Sequence, residues 1–340
     1  MVEFRSIERR SRVRRDYWWA SSLALTCFVA IGAAAAAVIG RQSGPELGPA
    51  ILVLSLLTFP YIAFATTSLL RDLQIWIVRV GPVSLLFIGL YFVAAYLIYA
   101  FGTGVFSSVG LRRVIVFLVV PTALIWSAGC VKRVVWQDWI ALASIWLPFN
   151  FGWIDGIWEW PQGQAGYILN TPMAVNLALA LYIGYRRLDA FSFRLSWRWT
   201  DLPLLLKALA GFLIIALPVG LGTGFLALNP QLEWTKLLGS PLAIFWFIAL
   251  PEELLFRGLM FGMLRRATSK TWLALVISSL LFGISHWHNP GLPDFRYVGL
   301  AAVAGMFYGY TFLRSNNLTA AALLHTTVDT LWDLFFHATN

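Results

Sequence analysis

The sequence predicts an all-α polytopic membrane protein of about eleven transmembrane helices (range roughly 9–11). Three observations predict it. Hydrophobic residues make up 59% of the 340 and charged residues only 12%, against about 25% charged in an ordinary soluble domain. Mean hydropathy is +0.73. Apolar runs near the roughly 20 residues that cross a 30 Å hydrocarbon core recur along the whole chain, parted by short basic clusters.

The first run, about residues 17–40, follows a basic start of Arg5, Arg9, Arg10, Arg12, Arg14 and Arg15. It exceeds the roughly 7–15-residue apolar core of a cleaved signal, so it reads as a membrane helix. Further spans are expected at about 49–70, 81–102, 114–131, 136–150, 169–185, 202–228, 240–264, 271–288, 297–313 and 318–337. The runs 136–150 and 169–185 are the weakest, and whether both fully cross is left open. Between them Phe149, Phe151, Trp153, Trp158 and Trp160 suit the membrane interface, where aromatic rings concentrate.

With the N-terminus cytoplasmic, only Arg41, Arg112, Arg113, Lys236 and Arg296 of the 25 Lys and Arg residues fall outside. Lys207 and Arg257 lie within spans, and the rest are inside. This asymmetry predicts a multi-pass protein of the cytoplasmic membrane with its N-terminus in and its C-terminus out. The stretch 186–201 is the longest polar connection and reads as a link along the cytoplasmic surface. Three regions follow: an N-terminal transmembrane bundle over 1–200, a connecting span and loop over 201–238, and a core over 239–337.

The net charge of +9 does not indicate nucleic acid, because the basic residues form no single patch. Membrane lipids are the expected surroundings. Cys27 and Cys130 fall inside apolar runs and read as small core residues, with no disulfide framework and no cysteine metal site.

The most informative residues interrupt the span 240–264. Glu252, Glu253 and Arg257 lie in an otherwise apolar stretch, where each charge at a helix centre costs about 2.5–3.5 kcal/mol. Such groups face a protein interior or a water-filled cavity. Glu253 and Arg257 are four residues apart and share a helix face, as an ion pair requires. Glu252 is offset by about 100° and is free to point elsewhere. Pro251 removes a backbone donor just before them and predicts a kink. The next span places Phe282 and His286 four apart, and the last does the same for His325 and Asp329. At about 1.5 Å per residue, the four acids and histidines fall in one band of the bilayer.

Taken in order, Glu252-Glu253-x-x-x-Arg257, Phe282-x-x-x-His286 and His325-x-x-x-Asp329 resemble the three-motif signature of the CPBP family, the CAAX-protease and bacteriocin-processing (Abi) membrane proteases. The stretch GMFYGYTFLRSNNLTAAALLH between the last two motifs is similar as well. The resemblance covers about residues 239–337 and implies a C-terminal four-helix catalytic core. It implies an intramembrane, glutamate-dependent endopeptidase that cleaves a membrane-associated protein or peptide by activated-water attack. Glu252 would be the general base, helped by His286, while His325 and Asp329 would stabilise the oxyanion or position the water. Glu253, Arg257 and Phe282 would be structural support.

One position departs from the CAAX-cleaving branch, where the last motif residue is often Asn. Asp329 accepts hydrogen bonds when ionised and donates only when protonated. Two readings stay open: Asp329 orients His325, or it ligates a metal. Glu252, His286, His325 and Asp329 form an oxygen and nitrogen set acceptable to a divalent ion such as Zn2+, and relatives are commonly named metalloproteases. The HExxH pattern is absent.

Two other functions fit parts of the pattern. Intramembrane acids and histidines also serve proton- or cation-coupled transporters, although no inverted repeat supports that reading. A non-catalytic scaffold or immunity protein would use the same fold without the chemistry. A lone Glu–Arg pair is often a structural lock, and Phe282 alone reads as packing. His288 and His337 lie at helix ends and are given no role.

Overall fold

A computed structural model describes residues 21–23, 25–29, 44–65, 67–130, 133–159, 165–188, 195–288 and 294–338. The chain divides into two compact units, Met1–Asp189 and Ala190–Asn340. Both are helical.

In the first unit the helices are α1 (Leu47–Ala63), α2 (Thr67–Val80), α3 (Val83–Gly102), α4 (Ser108–Ala128), α5 (Trp136–Asn150) and α6 (Ala165–Ala178). Helix α6 continues as a wider π turn, Leu179–Tyr185. Gly81, at φ +70°, makes the turn into α3 in a conformation that strains other residues. Ser107 caps α4 by accepting from the Gly110 N–H at 3.2 Å. The core is built along α6, where Leu177, Leu179, Leu181 and Tyr182 are buried.

Arg186 ends that helix in a pocket rather than in the polar link expected from sequence. It is 1% exposed. Its Nε and Nη2 donate to the two oxygens of Asp138, both at 2.7 Å. Nη1 donates to the Gly129 carbonyl at 2.9 Å and Nη2 to that of Arg133 at 3.0 Å. A charge counted among the cytoplasmic arginines is therefore a buried, forked ion pair. Residues 189–194 of the link lie outside the described residues.

In the second unit a 3-10 turn, Trp199–Asp201, leads into α7 (Leu202–Gly222). Strand β1 (Leu226–Leu228) follows, and then a long helical rod from Trp234 to Thr268. The rod consists of α8 (Trp234–Ile244), α9 (Leu250–Glu253) and α10 (Phe261–Thr268), joined by π turns at Phe245–Ala249 and Leu254–Met260. Helices α11 (Thr271–Ser285), α12 (Phe295–Ser315) and α13 (Leu318–Phe335) complete the bundle. Strand β2 (Phe336–Ala338) pairs antiparallel with β1, Ala227 opposite His337, the one departure from an all-α chain among the described residues.

Small residues let α11 and α12 cross closely, as membrane helices commonly do. A Cβ on Gly283 would stand 2.5 Å from the Val298 carbonyl oxygen and 2.7 Å from the Ala302 Cβ. At the other end of α12 the chain turns at Asn316 (φ +48°), and Asn317 caps α13 by accepting from the Thr319 N–H at 3.1 Å. Asn317 Nδ2 also donates to Asp201 at 2.8 Å and to the Ser196 carbonyl at 3.0 Å, which ties the end of the link to this turn.

Among the described residues four helices are long and apolar enough to cross a membrane: Val83–Gly102, Ser108–Ala128, Ile168–Tyr185 and Trp199–Gly222. A fifth is reached if Leu47–Ala63 and Ser68–Val80, bent by 98°, form one broken span. A multi-pass helical protein therefore stands, but with fewer such helices than the eleven expected. The expected span 17–40 lies mostly outside the described residues. Thr271–Ser285 has 15 residues, short of the roughly 20 that span a bilayer.

Three sequence expectations are corrected. Cys27 and Cys130 are exposed, because a lipid-facing helix surface is as apolar as a core and hydropathy does not separate the two. Trp158 is 3% exposed and donates from Nε1 to Asn170 Oδ1 at 2.8 Å, so it anchors the interior of its unit rather than an interface. The run 169–185, weak by sequence, lies within the qualifying helix Ile168–Tyr185, whose best window is 94% buried.

Candidate active site

Pro251 lies at the centre of the rod. Without an N–H, and with a ring that crowds the carbonyl four residues back, proline disrupts an α-helix. Here the expected kink takes the form of the π turn Phe245–Ala249, which widens the helix just before Pro251. The second π turn, Leu254–Met260, carries Arg257. Glu252 and Glu253 stand between the two.

Glu253 and Arg257 form the expected ion pair, with Nη1 3.0 Å from Oε1 and side chains 0% and 1% exposed. Arg257 Nη2 also donates to the Gly305 carbonyl at 2.7 Å. Its guanidinium lies over the Phe282 ring, 4.6 Å from the centroid. Gly305 makes this approach practicable, since a Cβ there would stand 3.1 Å from Arg257 Nη2 and 3.2 Å from Phe282 Cδ1. Phe282, read as packing, proves to be the common neighbour of the site. Its ring also meets His286 at 4.7 Å, His325 at 5.5 Å and Tyr308 at 5.9 Å.

The two histidines are held differently. His325 is 2% exposed and sits among three carboxylates. Its Nδ1 is 3.1 Å from Glu253 Oε1, and its Nε2 is 3.3 Å from Asp329 Oδ2 and 3.9 Å from Glu252 Oε2. With Glu253 and Asp329 both ionised, carboxylates at opposite nitrogens match a doubly protonated ring. His286 Nδ1 lies 2.7 Å from the Phe282 carbonyl oxygen. A carbonyl only accepts, so Nδ1 carries the proton and Nε2 of the neutral ring is an acceptor.

Glu252 is the more exposed of the two glutamates. Its side chain is 25% exposed, and its Oε2 has no hydrogen-bond partner among the described residues. His286, His325 and Asp329 all act on it electrostatically. Asp329 is 34% exposed. The structure thus brings Glu252, His325 and Asp329 together around one imidazole nitrogen, with His286 on the neighbouring helix.

Among the described residues no three His, Cys, Asp or Glu, the four residues read as metal ligands included, are grouped so as to hold a metal.

Sequence reasoning missed three contributors. The Glu253–His325 contact joins residues 72 apart. Gly305 supplies a carbonyl that no motif marks. Tyr308 stacks on His325 at 4.5 Å and 17°, and its only signal was a place in the Gly-rich stretch before the last motif.

Residues 234–331 match the family model described as type II CAAX prenyl endopeptidase Rce1-like. The match takes in every residue of the three motifs and bears out the resemblance drawn from them. No curated protein and no solved structure matches the chain.

Proposed function

From a second unit that carries an Rce1-like CAAX endopeptidase domain over residues 234–331, we propose that this chain is an intramembrane endopeptidase whose general base is Glu252. The observation that carries the reading is the division of labour between adjacent glutamates. Among the described residues Oε2 of each glutamate has no hydrogen-bond partner. Glu253, however, is 0% exposed with its Oε1 shared by Arg257 and His325 at 3.0 and 3.1 Å, whereas the Glu252 side chain is 25% exposed.

Glu252 accepts a proton from a water as the water oxygen bonds to the scissile carbonyl carbon. His286 Nε2 accepts a hydrogen bond from the same water and orients it. The proton taken by Glu252 then passes to His286 Nε2 and from there to the leaving nitrogen as the C–N bond breaks, which returns both groups to their starting state. Doubly protonated His325 supplies positive charge beside the developing oxyanion. Asp329, in the position where CAAX-cleaving relatives often carry Asn, needs no proton of its own for this. It orients His325 through Nε2, 3.3 Å away.

The substrate is a protein or peptide at the membrane, with lipids as surroundings. A prenylated C-terminal peptide is the first probe because the matched family is described by that activity. Cleavage in proteoliposomes by the wild type and by Glu252→Ala tests the proposal. Loss of cleavage by a folded Glu252→Ala supports it, and equal cleavage by both removes it.

A further inference from the structure

Contacts to Glu253 at Nδ1 and to Asp329 at Nε2 set which atoms occupy the two ends of the ring. Contacts at the two nitrogens alone leave the ring free to tilt about the axis that joins them. Tilt matters, since Nε2 faces Asp329 and Glu252 at 3.3 and 3.9 Å. Something has to hold the plane.

Tyr308, on α12, is placed to do so. It is 1% exposed and lies nearly parallel to the His325 ring, at 17° with centroids 4.5 Å apart. Tyr308 is itself fixed from two directions, by the edge-to-face Phe282 ring at 5.9 Å and 80° and by the Arg257 guanidinium 5.5 Å from its centroid. Phe282 meets His325 edge-on at 83°, so Tyr308 provides the flat support. A cationic imidazole on an electron-rich ring face also gains a cation–π attraction.

We propose that Tyr308 is a positioning residue for His325, a ring platform that holds the imidazole plane so that Nε2 stays aimed at the reaction centre. The catalytic part of this inference rests on the endopeptidase reading, whereas the platform itself does not. The role belongs to the aromatic face, so Tyr308→Phe retains it and Tyr308→Leu loses it.

Two measurements test it together. The chain has 4 histidines, so protein labelled at histidine gives a short set of ring signals in nanodiscs, and His325→Gln identifies one of them. The proposal expects the His325 ring protons to be shifted upfield by the stacked Tyr308, with the shift kept in Tyr308→Phe and lost in Tyr308→Leu. An unchanged His325 signal in Tyr308→Leu overturns it, whether or not the protein is a peptidase. In the peptide assay, Tyr308→Leu should lower kcat by on the order of tenfold to a hundredfold with little change in KM, as a small misplacement of a catalytic group does. Tyr308→Phe should restore kcat to near the wild-type value. In a His325→Ala background, Tyr308→Leu should have no further effect on kcat, and an additional loss there contradicts action through His325. An inactive wild type counts against the endopeptidase reading alone, because the ring signals still decide the platform.

Discussion

Glu253 and His325 are joined through Oε1 and Nδ1 at 3.1 Å, although 72 residues separate them in sequence. The same oxygen accepts from Arg257 at 3.0 Å. One buried carboxylate therefore ties the helical rod to α13 and holds the Nδ1 end of the imidazole.

Removing that charge should destabilise the unit. Glu253→Gln leaves Arg257 buried without its counter-ion, and breaking a buried pair from one side costs about 3–5 kcal/mol. Thermal unfolding in detergent should show a clear drop for Glu253→Gln, whereas Glu252→Gln should unfold near the wild-type temperature.

Two glycines of α12 should respond in opposite ways to alanine. At Gly305 a Cβ would stand 3.1 to 3.3 Å from Arg257 Nη2, Phe282 Cδ1 and Ser279 Cα, an overpacking worth about 1–3 kcal/mol. At Gly299 a Cβ meets nothing within 4 Å, and alanine is the better helix former by roughly 1 kcal/mol. Gly305→Ala should lower both stability and activity. Gly299→Ala should be neutral or mildly stabilising.

The pairs within one helix were legible in the sequence. Glu253 with Arg257 and His325 with Asp329 follow from 3.6-residue periodicity, and both are in contact as expected. The contacts between helices were not. Nothing in the local pattern sets Arg186 against Asp138, 48 residues away, or Tyr308 against His325, because those depend on which helix faces pack. Hydropathy likewise could not show that Cys27 and Cys130 are exposed, since lipid and core select the same residue types.

The buried pair of the first unit supplies a separate test. Asp138→Ala removes the carboxylate that pairs with the Arg186 guanidinium and should cost about 3–5 kcal/mol. Resistance of the 1–189 unit to added protease should fall in Asp138→Ala and recover in part in the double variant Asp138→Ala/Arg186→Met, which removes the stranded charge.

Metal removal should leave the activity standing. Among the described residues no three His, Cys, Asp or Glu are grouped so as to hold a metal, and the proposed reaction routes no step through one. Peptide cleavage after exhaustive chelation should match the untreated rate, and restoration of a lost activity by Zn2+ alone would point to a rearranged site.

The most direct test of the account is the rate of peptide cleavage in proteoliposomes by Glu252→Gln beside Glu253→Gln, each normalised to folded protein. If Glu252 is the base, Glu252→Gln is folded at the wild-type level and inactive, with kcat lower by at least about two orders of magnitude. A folded Glu252→Gln that cleaves at the wild-type rate contradicts the account.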